Sequence, residues 1–173
     1  MLHTLGRSAD TDDLRGLLLA CHRRIRAFST LAVTLATVAD APMRQREETC
    51  ERLIRYFSEA LPLHARDEEE SVARRLRGRA PELDEALRRM GDEHQAHSAA
   101  IDALLRGWAA LHERPDDDAL RLALVDPSIE LRDAFETHLR DEETLVFPHI
   151  AALSKAERDE AVRELRGRRA AAG

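Results

Sequence analysis

Apolar residues recur at alternating spacings of three and four through most of this chain, and an α-helix that buries one face has this period. Ala, Leu, Arg and Glu, all strong helix formers, dominate the 173 residues, whereas glycine and proline are few. The spacing therefore predicts an all-α protein. The longest apolar seam follows Pro81 and consists of Leu87, Met90, His94, His97, Ile101, Leu104, Trp108 and Leu111.

Capping residues and prolines predict where the first two long helices begin and end. Thr11 or Asp12 is expected to cap a first helix that runs to about Val38. A second helix is expected over about residues 43–77. Pro62 lies inside it, and we expect this proline to kink the helix or to split it into two pieces.

Two further long helices and two short ones are predicted in the rest of the chain. Ser154 and Glu157 form a capping box at the start of the last one. Long helices with short links predict an antiparallel up-down four-helix bundle, built as a single domain over residues 1–173 with its core at about 12–150. The predicted spans are about 81–113, Pro127 to about Pro148, and the short helices 117–124 and 154–168.

Composition excludes several classes of partner. A net charge of −6, with arginines interspersed among acidic residues, gives no basic patch for nucleic acid. The first residues do not resemble a secretory leader, and the longest apolar run, about 27–39, is shorter than the roughly 20 residues that span a bilayer. Cys21 and Cys50 form no spaced motif. We expect a cytoplasmic protein, monomeric or homodimeric, with reduced thiols. Lys155, the single lysine among 27 basic residues, favours a GC-rich bacterial source.

Two stretches of the chain nearly repeat each other. HARDEEES begins at His64 and HLRDEETL begins at His138, and both read H-x-R-D-E-E. A histidine and a glutamate four residues apart lie on the same face of a helix, so both can reach one site. Here the pairs are His64 with Glu68 and His138 with Glu142, and the apolar seam of each helix passes through them.

Histidines also interrupt the seams of the other two long helices, at His22 and at His94 and His97. A buried glutamate costs several kcal/mol unless it is paired, protonated or bound to a cation, and two inward glutamates repel each other. A metal centre resolves both problems. Imidazole and carboxylate ligands without thiolate suit iron, manganese or zinc and disfavour a purely structural zinc site. Up to five histidines and two glutamates match two octahedral ions bridged by carboxylates, and iron is the first choice.

The order of these residues resembles the hemerythrin-like, cation-binding HHE family. The resemblance rests on His22, the H-x-x-x-E of residues 64–68, the EH of residues 93–94 and HLRDEETLVFP at 138–148, whose final EETLVFP is its most specific part. It covers about residues 12–150. The resemblance implies a four-helix bundle that holds a non-haem di-iron centre bridged by an oxo or hydroxo group and two carboxylates.

Carried over to this chain, the resemblance implies six metal ligands, of which Glu68 and Glu142 bridge the ions. His97 is either a further ligand or a neighbour that supports the ligands. The six positions are His22, His64, Glu68, His94, His138 and Glu142.

Two departures from the oxygen-carrying hemerythrins bear on function. His94 and His97 are three residues apart, where the carriers have H-x-x-x-H. Glu142 stands four residues after its histidine, where the carriers have an aspartate five residues after. These departures favour members that handle peroxide, nitric oxide or iron status. We therefore expect a di-iron protein that binds or turns over O₂, H₂O₂ or NO, and the alternative is an iron- or oxygen-sensing protein without turnover.

The remaining polar and aromatic residues receive less specific predictions. Trp108 and Tyr56 are expected to pack in the core, although a tyrosine phenolate can also complete an iron shell. His149 is expected in the core or beside the ligands, and Cys21 as a small buried residue. His3 and His112 are expected to face solvent. The acidic neighbours are expected to be exposed or to orient ligand histidines; they are Asp67, Glu69, Asp141 and Glu143.

Overall fold

A computed structural model describes residues 13–172, and every regular element within that range is a helix. The predicted all-α class is therefore confirmed. No helix in this range is both long enough and apolar enough to cross a membrane. The predictions for His3, Thr11 and Asp12 lie outside the described residues.

The first helix, α1, extends over Leu14–Thr37. Its cap is Asp13, whose Oδ1 accepts a hydrogen bond from the backbone N–H of Gly16 at 2.6 Å. At the other end the N–H of Val38 bonds to the carbonyl of Thr34, so the predicted end is confirmed. The cap thus falls one residue after Asp12, the later of the two predicted positions.

The second helix, α2, covers residues 43–76 without interruption, but it widens twice into π-helical turns. Proline has no N–H and its ring crowds the carbonyl four residues before it. For Pro62 that residue is Ser58, which lies in the first π turn, so the expected disruption takes the form of a wider turn. Gly78 then ends the helix with φ of 78°. The segments are Met43–Arg55, Tyr56–Ala60 (π), Leu61–Arg66, Asp67–Ala73 (π) and Arg74–Leu76.

The third helix, α3, is Pro81–Glu113, and the short α4 is Asp118–Ala123. The fourth long helix, α5, begins at Val125, two residues before the predicted Pro127, because proline is tolerated throughout a helix's first turn. It covers residues 125–152 as three segments. These are the α-helix Val125–Asp141, the π turn Glu142–Val146 and the 3₁₀ turn Phe147–Ala152.

The last helix, α6, is Lys155–Ala172, several residues longer than predicted. Its capping box is confirmed: Oε2 of Glu157 accepts from the N–H of Ser154 at 2.6 Å, and Oγ of Ser154 accepts from the N–H of Glu157 at 3.2 Å. Of the additional residues, Arg169 contacts α2, where it lies 2.6 Å from Asp67.

The four long helices pack around two apolar clusters. α1 contacts α2 and α5, α3 contacts the same two helices, and α6 packs on α1 and on the second π turn of α2. Trp108 is fully buried, as predicted. One cluster includes Leu14, Leu18, Val72, Leu76, Leu87, Met90, Val146 and Phe147, and the other includes Ile25, Leu53, Phe57, Leu104, Trp108, Leu131 and Phe135.

The predicted site forms a polar layer between these clusters. On α1, for example, His22 lies between Leu18 of one cluster and Ile25 of the other. An ideal α-helical seam through His138 and Glu142 predicts that Leu145 is the next buried residue of α5, and this prediction is wrong. Leu145 is 43% exposed and Val146 is 2% exposed, because the π turn that begins at Glu142 contains an additional residue.

Candidate metal centre

Each of the four long helices contributes to the polar layer. The apolar clusters on either side pack the long helices together, and the helices in turn position the side chains of the layer. All are buried except His94, which is half-buried. The layer contains His22 from α1, His64 and Glu68 from α2, His94 from α3, and His138 and Glu142 from α5.

The carboxylate of Glu68 faces two different sets of histidines. Its Oε1 lies 3.2 Å from Nε2 of His22 and 3.3 Å from Nε2 of His64. Its Oε2 lies on the other side, 3.4 Å from Nε2 of His94. One glutamate therefore reaches across the layer.

Glu142 spans the layer in the same way. Its Oε2 lies 3.3 Å from Nε2 of His22. Its Oε1 lies 3.1 Å from Nε2 of His138 and 3.6 Å from Nε2 of His94. Two groups of residues consequently bring their ligand atoms within 4.8 Å of one another, and Glu142 belongs to both: His22, His64, Glu68 and Glu142, and His94, His138 and Glu142.

Buried polar atoms in this layer lack hydrogen-bond partners among the described residues. They are both ring nitrogens of His64, Oε2 of Glu68 and both carboxylate oxygens of Glu142. Leaving such an atom unpaired costs about 1–3 kcal/mol, and more for a charged group. A cation among these atoms would satisfy the carboxylates and the imidazole together, so the donor set fits a metal ion.

The pKa shifts show how strongly this layer attracts positive charge. Burial alone would raise the pKa of the Glu142 carboxyl, but contacts with His138 and His22 outweigh burial and hold it well below its usual range. Burial likewise opposes protonation of His22, yet Glu142 and Glu68 raise its pKa to about 10. For His64, burial dominates and lowers the pKa. A metal ion competes with protons for these atoms, so its binding releases protons.

Three of the histidines have a second carboxylate behind the ring. Nδ1 of His22 lies 2.9 Å from Oε1 of Glu143, and the same oxygen accepts a hydrogen bond from Arg26 at 2.8 Å. Nδ1 of His94 lies 2.7 Å from Glu69. An Nδ1–H that donates to a carboxylate leaves the Nε2 lone pair directed into the layer and raises its basicity. The predicted orienting role of Glu69 and Glu143 agrees with these contacts.

Glu93 does the same for His138, with its Oε2 2.7 Å from Nδ1. The sequence indicates Glu93 only as part of an EH dipeptide. The position of Glu93 does indicate this role. A carboxylate one residue before a seam histidine on α3 lies at the edge of the seam that faces α5.

Asp67 was expected to be exposed or to orient a histidine, and this prediction is wrong. Its side chain is fully buried and contacts two arginines of α6: Arg168 at 3.0 Å and Arg169 at 2.6 Å. These partners stand about a hundred residues later in the chain, and helical periodicity carries no information about such a pairing. Asp141 is half-buried, 3.5 Å from Arg89.

His97 lies beside the centre, with its ring 5.2 Å from that of His138 and 4.9 Å from that of Phe135. Burial lowers its pKa to about 4, so it is neutral at physiological pH. Its ligand atoms do not join either group of closely spaced ligands. Ligation by His97 therefore stays a prediction.

The other singled-out residues lie away from the ligand groups. Tyr56 stacks on Phe28 with ring centroids 3.8 Å apart, which agrees with its packing role. His149 is half-buried in the 3₁₀ turn of α5. His112 is half-buried and contacts Glu51. Cys21 is only half-buried, and its sulfur lies 3.7 Å from a guanidinium nitrogen of Arg169.

The fold and this layer define an all-helical protein with a buried His/Glu cluster able to hold a metal ion. The family model of the hemerythrin HHE cation-binding domain matches residues 13–130, more than half of the chain, and the chain belongs to this family. The match ends before HLRDEETLVFP, so the most specific part of the expected resemblance lies beyond it. Comparisons with curated proteins and with solved structures give no significant match.

Proposed function

We propose that this chain is a non-haem di-iron protein that binds or reacts with a small oxidant: O₂, H₂O₂ or NO. One observation carries the proposal. Glu68 and Glu142 each present one oxygen to one set of histidines and the second oxygen to another set. A single ion would need only one such set, whereas a pair of ions would use both oxygens of each glutamate.

The proposed ligands divide between two ion positions. His22 and His64 hold one position, His94 and His138 hold the other, and the two glutamates bridge them. His97 is proposed as an additional ligand or as a neighbour that supports His138. When bound, the iron pair supplies electrons and an open coordination position for the oxidant, and manganese or zinc are candidate substitutes.

The residues of the chain prepare the layer for that chemistry. Glu143, Glu69 and Glu93 hold Nδ1 protons on three histidines and so direct the Nε2 atoms inward. The two apolar clusters flank the layer, and their low polarity strengthens the charge interactions inside it.

We also propose that the long helices form an antiparallel up-down four-helix bundle. The packing of α1 on α2 and α5, and of α3 on the same two helices, supports this arrangement, in which each helix has two neighbours. The cytoplasmic location, the monomeric or dimeric state and the lack of nucleic-acid and membrane partners stay predictions of the sequence.

The test combines metal analysis with rapid kinetics. Protein expressed in iron-replete medium is expected to contain about two irons per chain, in line with the two bridged positions. The reduced protein is then mixed with O₂, H₂O₂ and NO in a stopped-flow instrument. Reversible oxygenation, peroxide turnover or a nitrosyl spectrum would each identify the physiological branch.

Two results would count against the proposal. Protein without iron after iron-replete expression would overturn it. So would a double variant, His64→Leu with Glu68→Met, that keeps its metal content and its stability, since buried pairs without a metal role can be replaced by apolar residues at no cost. Bound iron with slow turnover of every oxidant would select the sensing alternative.

A further inference from the structure

A cavity of about 370 Å³ lies beside the metal centre and opens to the surface between the helices. Each of the four long helices contributes an apolar side chain to its wall. The apolar lining includes Ile25 of α1, Phe57 and Leu61 of α2, Ile101 and Leu105 of α3, and Phe135 of α5.

Histidines of the proposed centre form the inner end of this cavity. His64, His94 and His138 all line it, together with His97. Its outer rim carries small or polar exposed residues, among them Ser98. The cavity therefore extends from solvent to side chains of the metal-facing layer.

The size of the cavity exceeds what a diatomic oxidant needs. A water molecule occupies about 30 Å³ in the liquid, so the cavity has room for a molecule of roughly ten non-hydrogen atoms. Ligand pockets for small organic molecules begin at about 300 Å³ and are lined mainly by apolar side chains with a few polar groups. Both conditions hold here.

His97 supplies the polar group on the inner wall. Neither ring nitrogen has a hydrogen-bond partner among the described residues, and only Nδ1 is fully buried, so Nε2 is the nitrogen that a ligand in the cavity can reach. The ring packs edge-on against His138 at 5.2 Å, so a ligand atom beside His97 is also next to the metal-facing layer. An unpaired ring nitrogen at this place favours a ligand with a hydroxyl-type end.

We propose that this cavity binds a small, mostly apolar organic molecule whose single O–H end meets His97 beside the metal centre. The alkyl or aryl body lies against Phe57, Ile101 and Leu105. The inference rests on the proposed function and deepens it, because it names the class of molecule that approaches the centre in addition to a small oxidant.

The test uses benzyl alcohol and toluene, which differ by one hydroxyl group, in calorimetric titrations of the protein as isolated. Benzyl alcohol is expected to bind with a dissociation constant of about 1 mM or below. In His97→Leu, the affinity for benzyl alcohol relative to toluene is expected to fall about fivefold, the factor that a hydrogen bond of about 1 kcal/mol provides.

Two filling variants place the ligand in the cavity. Ile101→Trp is expected to weaken both probes at least about tenfold, because the indole occupies the space that the aryl ring needs. Met43→Trp, which adds the same group at an exposed position outside the cavity, should leave binding unchanged. If Ile101→Trp does not fold, Ser98→Phe is used in its place, because it narrows the rim of the cavity from the surface.

Metal content is measured on the same samples, which separates the two proposals. Bound metal without binding of either probe would overturn the cavity inference and leave the proposed function standing. Equal binding to wild type, Ile101→Trp and Ser98→Phe would also overturn it. Probe binding to a protein that takes up no metal would overturn the proposed function, and with it the assignment of this ligand to a metal centre.

Discussion

Asp67 of α2 and Arg168 of α6 form an ion pair in which Oδ1 of the carboxylate accepts a guanidinium hydrogen bond at 3.0 Å. Arg169 lies 2.6 Å from the other oxygen. Asp67 is fully buried and directly precedes Glu68. The C-terminal helix is thus tied to the turn that presents one of the two carboxylates of the centre.

Asp67→Asn is expected to lower the free energy of unfolding by about 2 kcal/mol, because the arginines lose a buried partner. It should also weaken metal binding about tenfold through the displaced Glu68. Urea denaturation and chelator competition measure the two effects. The control is Asp159→Asn, which breaks an exposed pair with Lys155 on the same helix and should cost at most about 0.5 kcal/mol. Equal losses in both variants would contradict the tie between α6 and the centre.

Glu68→Gln and Glu142→Gln each remove a carboxylate that faces both sets of histidines. We expect either variant to lose at least one of the two bound ions, since an amide is a weaker ligand and cannot balance the charge of the pair. Elemental analysis after expression in iron-replete medium measures the content. Glu48→Gln is the control, because Glu48 is exposed and pairs with Arg44 at 2.8 Å on the same helix. A full complement of metal in both site variants would refute the bridging role.

Glu93→Gln leaves every proposed ligand in place but weakens the acceptor behind His138. We expect the metal dissociation constant to rise about 10- to 100-fold, as is usual when the partner of a ligand histidine is changed. A titration against a competing chelator gives this constant. Glu85→Gln, on an exposed position of the same helix, should have no effect. The expectation fails if Glu93→Gln and Glu85→Gln bind metal alike.

Glu164 of α6 contributes to the free energy of unfolding, and this contribution is lost in acid. The hydrogen bond from Arg75, assisted by Ser71, lowers the pKa of Glu164 to about 2. A lowered pKa stabilises the fold above the unfolded value of about 4.5, and the contribution is lost as the pH falls from there towards 2. Glu164→Gln should therefore cost about 1 kcal/mol at pH 7, a value reduced by solvent screening.

The difference between wild type and Glu164→Gln should shrink as the pH is lowered from 5 to 2.5, which urea denaturation across that range can follow. Glu130→Gln is the control, since Glu130 is exposed and makes no ion pair among those found in residues 13–172. A constant difference between wild type and Glu164→Gln at all pH values would exclude this linkage.

The helices and the six central residues of the layer could be predicted because their information is local. An apolar seam that passes through His64 and Glu68 indicates that both point inward, whatever the neighbouring helices are. The same argument places His22 and His94. The long-range partners could not be predicted in this way, since nothing in the sequence near Asp67 specifies Arg168.

Periodicity also failed just after Glu142. Extrapolating an ideal α-helix from Glu142 predicts that Leu145 is buried, whereas Val146 is buried instead. Residue counting assumes a constant number of residues per turn, and a π turn breaks that assumption without any marker such as glycine or proline.

Both glutamates of the centre lie in such turns, Glu68 in Asp67–Ala73 and Glu142 in Glu142–Val146. A π turn amounts to one residue inserted into an α-helix. Relatives of this chain that differ from it by a single residue in length are therefore expected to carry that difference inside α2 or α5, next to a metal-facing glutamate. Alignments that confine gaps to loops would then misplace every core residue between that point and the next loop.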